Sequence, residues 1–345
     1  MARDPFEIGG QSVAPGTARS VELPVSVMSD HTPASLTVHV VHGKREGPTL
    51  FVSAAVHGDE IIGVEIVRRL LNAPQLSSLR GTLLIVPIVN TFGFLNHNRY
   101  LPDRRDLNRC FPGSEGGSLA SRLAHLFMTE IVKRSDLGID LHSAAMHRTN
   151  LPQIRVSASS RRTLDLARDF GAPVMIRAKL RDGSLRAAAR EAGVDVLLYE
   201  AGEALRFDEM SARIGVTGCL RVMHSLGMIP QKGLPKRGAQ PIVAAGSGWV
   251  RAPAGGLLRL FREVGETVTK GQTLAIVSDP LGRIEIELTA PGPGVILGRA
   301  TMPVANEGDA VYHIAEVPTG DTEDRLTRLA AELEADPMFD EDEIL

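Results

Sequence analysis

Thr49-Leu50-Phe51-Val52-Ser53-Ala54-Ala55-Val56 is an apolar run that leads into His57-Gly58-Asp59-Glu60 and then into a helical pattern from Ile61 to Leu71. Such a run reads as a buried strand, and the change of period after Glu60 as a helix. Open α/β sheets bind their ligands where a strand ends in a loop and turns into a helix. His57 and Glu60, spaced i and i+3, can face one point. A neutral imidazole nitrogen and a carboxylate oxygen suit Zn²⁺, which as a catalytic ion takes three protein ligands and keeps one position open. The pair is a weak motif on its own. Glu60 also fits a first-turn acid placed against the helix dipole, and His57 an ordinary loop residue.

Outward from this stretch, strand and helix patterns alternate. Strand-like runs occupy 82–89, 137–142, 152–156 and 194–199, and helix-like runs occupy 60–72, 118–134, 159–170, 184–192 and 209–226. In 118–134, Leu119, Leu123, Leu126, Phe127 and Ile131 form one apolar stripe. The alternation predicts an α/β fold: a mostly parallel mixed sheet covered by helices on both faces, in three layers. Upstream, Ser20–Val25 and Leu36–His42 alternate as half-buried strands do, which assigns His39 and His42 to surface or packing positions. Residues 90–117 have no period but many charges, the mark of a functional loop.

From Leu234 the composition shifts. Residues 241–316 are rich in Gly, Pro and Val, and Ala252-Pro253 recurs as Ala290-Pro291. This predicts a small all-β module. The expected organisation is a catalytic domain over 1–235, with early strands in 1–48, then the module over 236–317. A short helix (323–334) and an acidic tail follow in 318–345.

The chain has 345 residues, 43% hydrophobic and 23% charged, with a net charge of −3. No basic field recruits nucleic acid. Cys110 and Cys219 are too few for a disulfide framework and lack metal-ligand spacing. No signal-like segment and no run long enough to span a bilayer occurs, so a cytoplasmic protein without membrane partners is expected.

A third ligand should come from another strand end on the same sheet edge. His142 closes the run from Gly138, and Asp140 shares its face, where an acid can orient a metal-bound imidazole. His147, beyond the strand end, is its competitor; His97, His125 and His224 fit worse. Glu200, after the run Val194–Tyr199, is the candidate general base. Among the cations of the 90–111 loop, Arg99 (with Tyr100) and Arg109 (with Asn108) are the candidates for polarising a carbonyl and binding a carboxylate.

Taken together, His57-Gly58-Asp59-Glu60, Asn90, Asn98-Arg99-Tyr100, Asp106-Leu107-Asn108-Arg109-Cys110-Phe111-Pro112-Gly113, Asp140-Leu141-His142 and Glu200-Ala201-Gly202 occur in an order that resembles the succinylglutamate desuccinylase/aspartoacylase family, a branch of the zinc carboxypeptidase-like superfamily. The resemblance runs from about residue 20 to 316. It implies a zinc-carboxypeptidase-like αβα domain and one Zn²⁺ per chain on His57, Glu60 and His142. It also implies Glu200 as general base and acid, Arg99 as carbonyl polariser, and Asn108 and Arg109 as binders of a substrate carboxylate. A further substrate-binding arginine is expected before Glu200, with Arg186 and Arg190 both candidates. A tyrosine from the C-terminal part is used by relatives acting on acidic substrates, and Tyr312 is the only one there.

The β module resembles biotinyl/lipoyl carrier domains, but Arg283 stands where counting back from Ala290-Pro291 places their modified lysine; Lys270 is the alternative. The module is therefore expected to be a lid or an assembly surface. The activity implied is hydrolysis of a linear amide in a small N-acyl amino acid. A carboxypeptidase and a non-catalytic binding protein are its rivals. A homo-oligomer is a prior only.

Overall fold

The computed structural model describes residues 3–157, 160–234, 240–244 and 246–317. In the first part of the chain the strands are β1 (Phe6–Ile8), β2 (Gln11–Val13), β3 (Thr17–Val27), β4 (Pro33–His42), β5 (Arg45–Ala54), β6 (Arg80–Val86), β7 (Leu137–Ala144), β8 (Arg148–Val156), β9 (Val174–Arg177) and β10 (Asp195–Glu203). The helices are α1 (Ile62–Leu71), α2 (Thr91–Leu95), α3 (Leu119–Glu130), α4 (Arg161–Phe170), α5 (Leu185–Glu191) and α6 (Glu209–Ser225). The last part contributes β11 (Ile242–Ala244), β12 (Gly246–Arg251), β13 (Gly256–Leu260), β14 (Thr267–Val268), β15 (Thr273–Ser278), β16 (Glu285–Thr289), β17 (Gly294–Ala300), β18 (Val304–Ala305) and β19 (Ala310–Glu316).

The main sheet runs β3-β4-β6-β5-β7-β10-β8, with β6, β5, β7 and β10 mutually parallel and β3, β4 and β8 antiparallel to their inner neighbours. Its central strands are buried on both faces, which is why the run around Phe51 is continuously apolar. Leu50, Val52 and Ala54 join the core with α1, α4 and α6, while Phe51 turns to the other side and packs edge-on against Phe127 of α3. Gly138 of β7 lies under the Phe51 ring: a Cβ there would sit 2.1 Å from Phe51 Cζ. Ser118, Ser160, Ser184 and Asp208 start α3, α4, α5 and α6, each side chain accepting from the backbone amide three residues on.

The far edge of β8 is shared by two strands. Gln153–Val156 pair with β9, and Arg148, Thr149 and Asn150 pair with β17. Through β17 the sheet continues into β19 and β12. The all-β module expected over 236–317 is thus joined to the main sheet by backbone hydrogen bonds; within it, among the described residues, β16-β15-β13-β18 form a separate sheet. The two sheets enclose a small core that includes Tyr312, Leu274 and Val311.

Two features depart from expectation. The 90–117 stretch contains α2 and a turn of 3-10 helix at Leu107–Arg109, both too short to show a period. Glu200 lies inside β10, which runs on to Glu203 past an irregularity after Glu200. The expected helix at 323–334 and the acidic tail lie outside the described residues. Among the described residues no helix is long and apolar enough to cross a membrane.

Candidate active site

Side chains in register across neighbouring strands leave the same face of a sheet, and two such rows build the site. One row joins His142 of β7, Glu200 of β10 and Gln153 of β8; the other joins Ser53, Asp140, Leu198 and Arg155. Both lie on the face that carries Phe51, opposite the one holding Leu137, Ile139 and Leu141.

Beyond the end of β5, Ala55 takes a left-handed conformation (φ 49) and turns the chain to His57. Gly58 then packs directly on α2, where a Cβ would meet the Gly93 carbonyl carbon at 2.0 Å. Asn90 caps α2 through its Oδ1 and reaches the Arg99 carbonyl through Nδ2, so the loop carrying Arg99 is anchored to the same turn.

Glu60 stands between two imidazoles. Its Oε1 is 2.6 Å from His57 Nδ1, and its Oε2 is 2.7 Å from His142 Nδ1. The far nitrogen of each ring meets an aspartate: His57 Nε2 is 3.1 Å from Asp106 Oδ1, and His142 Nε2 is 2.7 Å from Asp140 Oδ2. Ser53 Oγ holds the other Asp140 oxygen at 2.8 Å. With a cation in place of the Nδ1 protons, an aspartate accepting Nε2–H would leave Nδ1 as the lone-pair nitrogen of each ring, so both rings would offer Nδ1 to one point. The ligand atoms of His57, Glu60 and His142 all lie within 4.8 Å of one another, and all three residues are buried. The cluster is therefore suited to a cation.

Its charges are strongly coupled. Burial opposes the charged form of His57, but Glu60 and Asp106 outweigh it and raise its pKa. Burial likewise opposes the charge on His142, and Asp140 and Glu60 raise it well above the ordinary histidine value. Burial would raise Glu60, yet the two imidazoles hold it well below the usual carboxylate range. Asp59 is buried with its Oδ1 free of hydrogen bonds, and burial followed by the Glu60 charge raises it. The Asp59 backbone carbonyl accepts from the Leu205 amide at 2.9 Å.

A cavity of about 310 Å³ opens on this cluster, lined also by Arg99, Asn108, Arg109, Arg186 and Glu200. Arg99 bridges Glu60 (Nη1 to Oε1, 3.1 Å) and Asp106 (Nη2 to Oδ2, 3.0 Å). Asn108 Oδ1 accepts from the Leu185 amide, pinning the loop to the start of α5. Arg109 Nη1 donates to the Asn108 carbonyl at 2.5 Å. Glu200 accepts from Asn150 Nδ2 at 2.8 Å and pairs with Arg155 at 2.9 Å.

The structure separates the two candidate arginines of α5. Arg186 lines the cavity with its Nη1 buried and unpartnered, and burial, then the charge of Arg155, lowers its pKa to about 10. Arg190 does not line it; it lies near Ser157 and Asp195, at 3.5 and 3.7 Å. The two share a helix face, but Arg190 is one turn on, about 6 Å further along the axis. Tyr312 is also displaced from its expected place: it is fully buried in the β core, and its hydroxyl bonds the Arg262 and Leu274 carbonyls. His147 and Tyr100 are exposed, outside the cavity lining.

Asp106, Arg148, Asn150, Arg155, Arg181 and Trp249 belong to the site or its wall and were not singled out from sequence. Only Asp106 had a usable signal, its place in the quoted Asp106–Gly113 motif. Arg148, Asn150, Arg155 and Trp249 arrive through strand pairing, and Arg181 through the loop before α5; local sequence encodes neither placement.

The sequence model described as the succinylglutamate desuccinylase/aspartoacylase catalytic domain matches residues 46–226. The N-alpha-acetyl-L-2,4-diaminobutyric acid deacetylase of Halomonas elongata is 29% identical over 311 residues, covering 86% of this chain and 90% of that protein. A succinylglutamate desuccinylase/aspartoacylase from Rhodobacter sphaeroides superposes with a TM-score of 0.78 at 25% identity, over 88% of this chain and 96% of that one. The product-bound ectoine utilization protein EutE (DoeB) from Ruegeria pomeroyi shares the fold, with a TM-score of 0.78 at 23% identity over 87% and 95% of the two chains. The matched segment exceeds half of the chain and contains His57, Glu60, His142 and Glu200, and the chain belongs to the succinylglutamate desuccinylase/aspartoacylase family.

Proposed function

We propose that the protein is a zinc-dependent amidohydrolase that removes the acyl group from a small N-acyl amino acid. The observation that carries this reading is the register of Glu200 with His142, which sets a carboxylate beside the His57–Glu60–His142 cluster on one cavity wall. Two imidazole nitrogens and one carboxylate are the donor set of a catalytic zinc site, and the aspartates behind both rings fit it. When bound there, Zn²⁺ would polarise the acyl carbonyl and lower the pKa of the attacking water to about 7.

The remaining work falls to this chain's side chains. Glu200 takes the proton from water as its oxygen attacks the acyl carbon. Arg99, whose Nη1 and Nη2 each carry a second hydrogen, donates to the carbonyl oxygen as negative charge develops. The C–N bond then breaks, and Glu200 passes its proton to the leaving nitrogen. The products are a carboxylate and a free amino acid. Arg186 is the favoured holder of the substrate carboxylate, because its Nη1 is buried at the cavity wall with no acidic partner among the described residues. Arg109 and the Asn108 amide nitrogen would complete that site. Arg283, exposed in the β15–β16 turn, carries no primary amine to modify, so the four-stranded sheet is read as structural.

A panel of N-acetyl and N-succinyl amino acids, assayed with purified protein and added zinc, tests this. N-alpha-acetyl-L-2,4-diaminobutyrate belongs on the panel because the Halomonas elongata relative is named for it. Release of free amino acid is expected. Release of C-terminal residues from peptides with no deacylation would replace this reading by a carboxypeptidase.

A further inference from the structure

Trp249 is the chain's only tryptophan, and it stands on β12 at the cavity wall with 40% of its surface exposed. Its indole stacks on His313 of β19, with ring centroids 4.4 Å apart and planes at 10°. His313 Nε2 is fixed by Ser247 Oγ at 2.8 Å. The Arg148 guanidinium lies over the indole, 5.2 Å from its centroid. Arg148 opens β8 and pairs there with Ala300 of β17, so the same strand pairing that joins the module to the main sheet also sets this stack.

A guanidinium laid on an aromatic ring keeps its N–H edge free for an anion. Arg148 has no acidic partner within ion-pair distance among the described residues. The charges of the cavity wall give that edge a purpose. Arg99 is neutralised by Glu60 and Asp106, and Arg155 by Glu200. Arg109, Arg148, Arg181 and Arg186 line the cavity with no such partner among the described residues. One carboxylate is saturated by one or two guanidinium forks. Arg109 comes from the 106–111 loop, Arg181 from the segment leading into α5 and Arg186 from the first turn of α5, which Asn108 and Phe111 tie together. Arg148 comes from a different element.

We propose that Arg148, held by Trp249, is a second anion-binding position of the cavity and a specificity-determining residue. It reads a carboxylate remote from the substrate's α-carboxylate, on the side chain or on the acyl group. This rests on the deacylase reading. It also sets the chain apart in specificity from an enzyme for a substrate with a cationic side chain.

The test uses zinc-loaded full-length protein. Trp249 is the sole indole, so ligand binding is read from its fluorescence. N-acetyl-L-glutamate is titrated against its neutral isostere N-acetyl-L-glutamine, and N-succinyl-L-alanine against N-acetyl-L-alanine. Arg148→Gln should weaken binding of at least one dicarboxylate by about tenfold and leave its monocarboxylate partner within about twofold. Arg148→Lys should recover part of the loss. Trp249→Ala, followed by calorimetric titration, should mimic Arg148→Gln, and Trp249→Phe should be milder. Equal losses for both members of each pair, or none, overturn the proposal. If the wild type binds these ligands with the predicted preference but hydrolyses no N-acyl amino acid, the deacylase reading fails while the anion position stands.

Discussion

Glu200 of β10 stands in register with His142 of β7, and both side chains leave the same face of the sheet. Parallel strands lie about 4.8 Å apart, so this pairing fixes the distance between the proposed proton acceptor and the proposed metal ligand through the backbone ladder rather than through a flexible loop. Glu200→Gln keeps the shape and can still accept from Asn150, but it cannot take a proton. Its kcat should fall by about 10²- to 10⁴-fold, with zinc content by metal analysis unchanged. Full activity with full zinc would remove Glu200 from the reaction.

Asp140 holds His142 from behind and is itself held by Ser53. Asp140→Asn weakens the acceptor that orients Nε2–H. Zinc affinity, measured by competition with a chelator, should drop by about 10- to 100-fold while the fold persists. Asp106→Asn should act similarly on His57 and also loosen Arg99.

Gly138 and Phe51 form a tight pair in the core beneath the site. Gly138→Ala puts a methyl group into the Phe51 ring and should destabilise the protein by about 1–3 kcal/mol in denaturant unfolding. Adding Phe51→Leu should recover part of that loss, a non-additivity expected of residues in contact. Strictly additive effects would mean the backbone moves aside instead.

Glu209 ties α6 to α1 by accepting from Arg69 at 2.7 Å through both carboxylate oxygens, and Arg69 also bonds Glu65. The Arg69 bonds, against burial that raises it, bring the Glu209 pKa down to about 2, with Arg213 assisting. Its folded value thus lies below that of an unfolded glutamate, about 4.3. The stabilisation is present above that value and lost as pH falls towards 2. Glu209→Gln should therefore lower Tm at pH 7, and the gap to wild type should close between about pH 4 and pH 2. The effect should be modest, because the pair is partly exposed. A gap independent of pH would assign the loss to packing.

The sequence by itself determined the local features: the buried strand into His57, the amphipathic helix after Glu60, His142 with Asp140 two residues before it, and Glu200 after an apolar run. Each is a matter of period and spacing within a few residues, which is what backbone geometry imprints on a chain. The tertiary structure decided what depends on strands distant in sequence. It put Glu200 beside His142 through the β10–β7 register, and Arg155 beside Glu200 through β8. It set Arg186 at the cavity wall and Arg190 one helical turn away from it, and buried Tyr312 while bringing Trp249 to the cavity wall. It also fused the C-terminal strands to the main sheet at Arg148–Asn150. Pairing partners and register are set by which edges and faces remain to be covered once the whole chain collapses, and no local pattern carries that information.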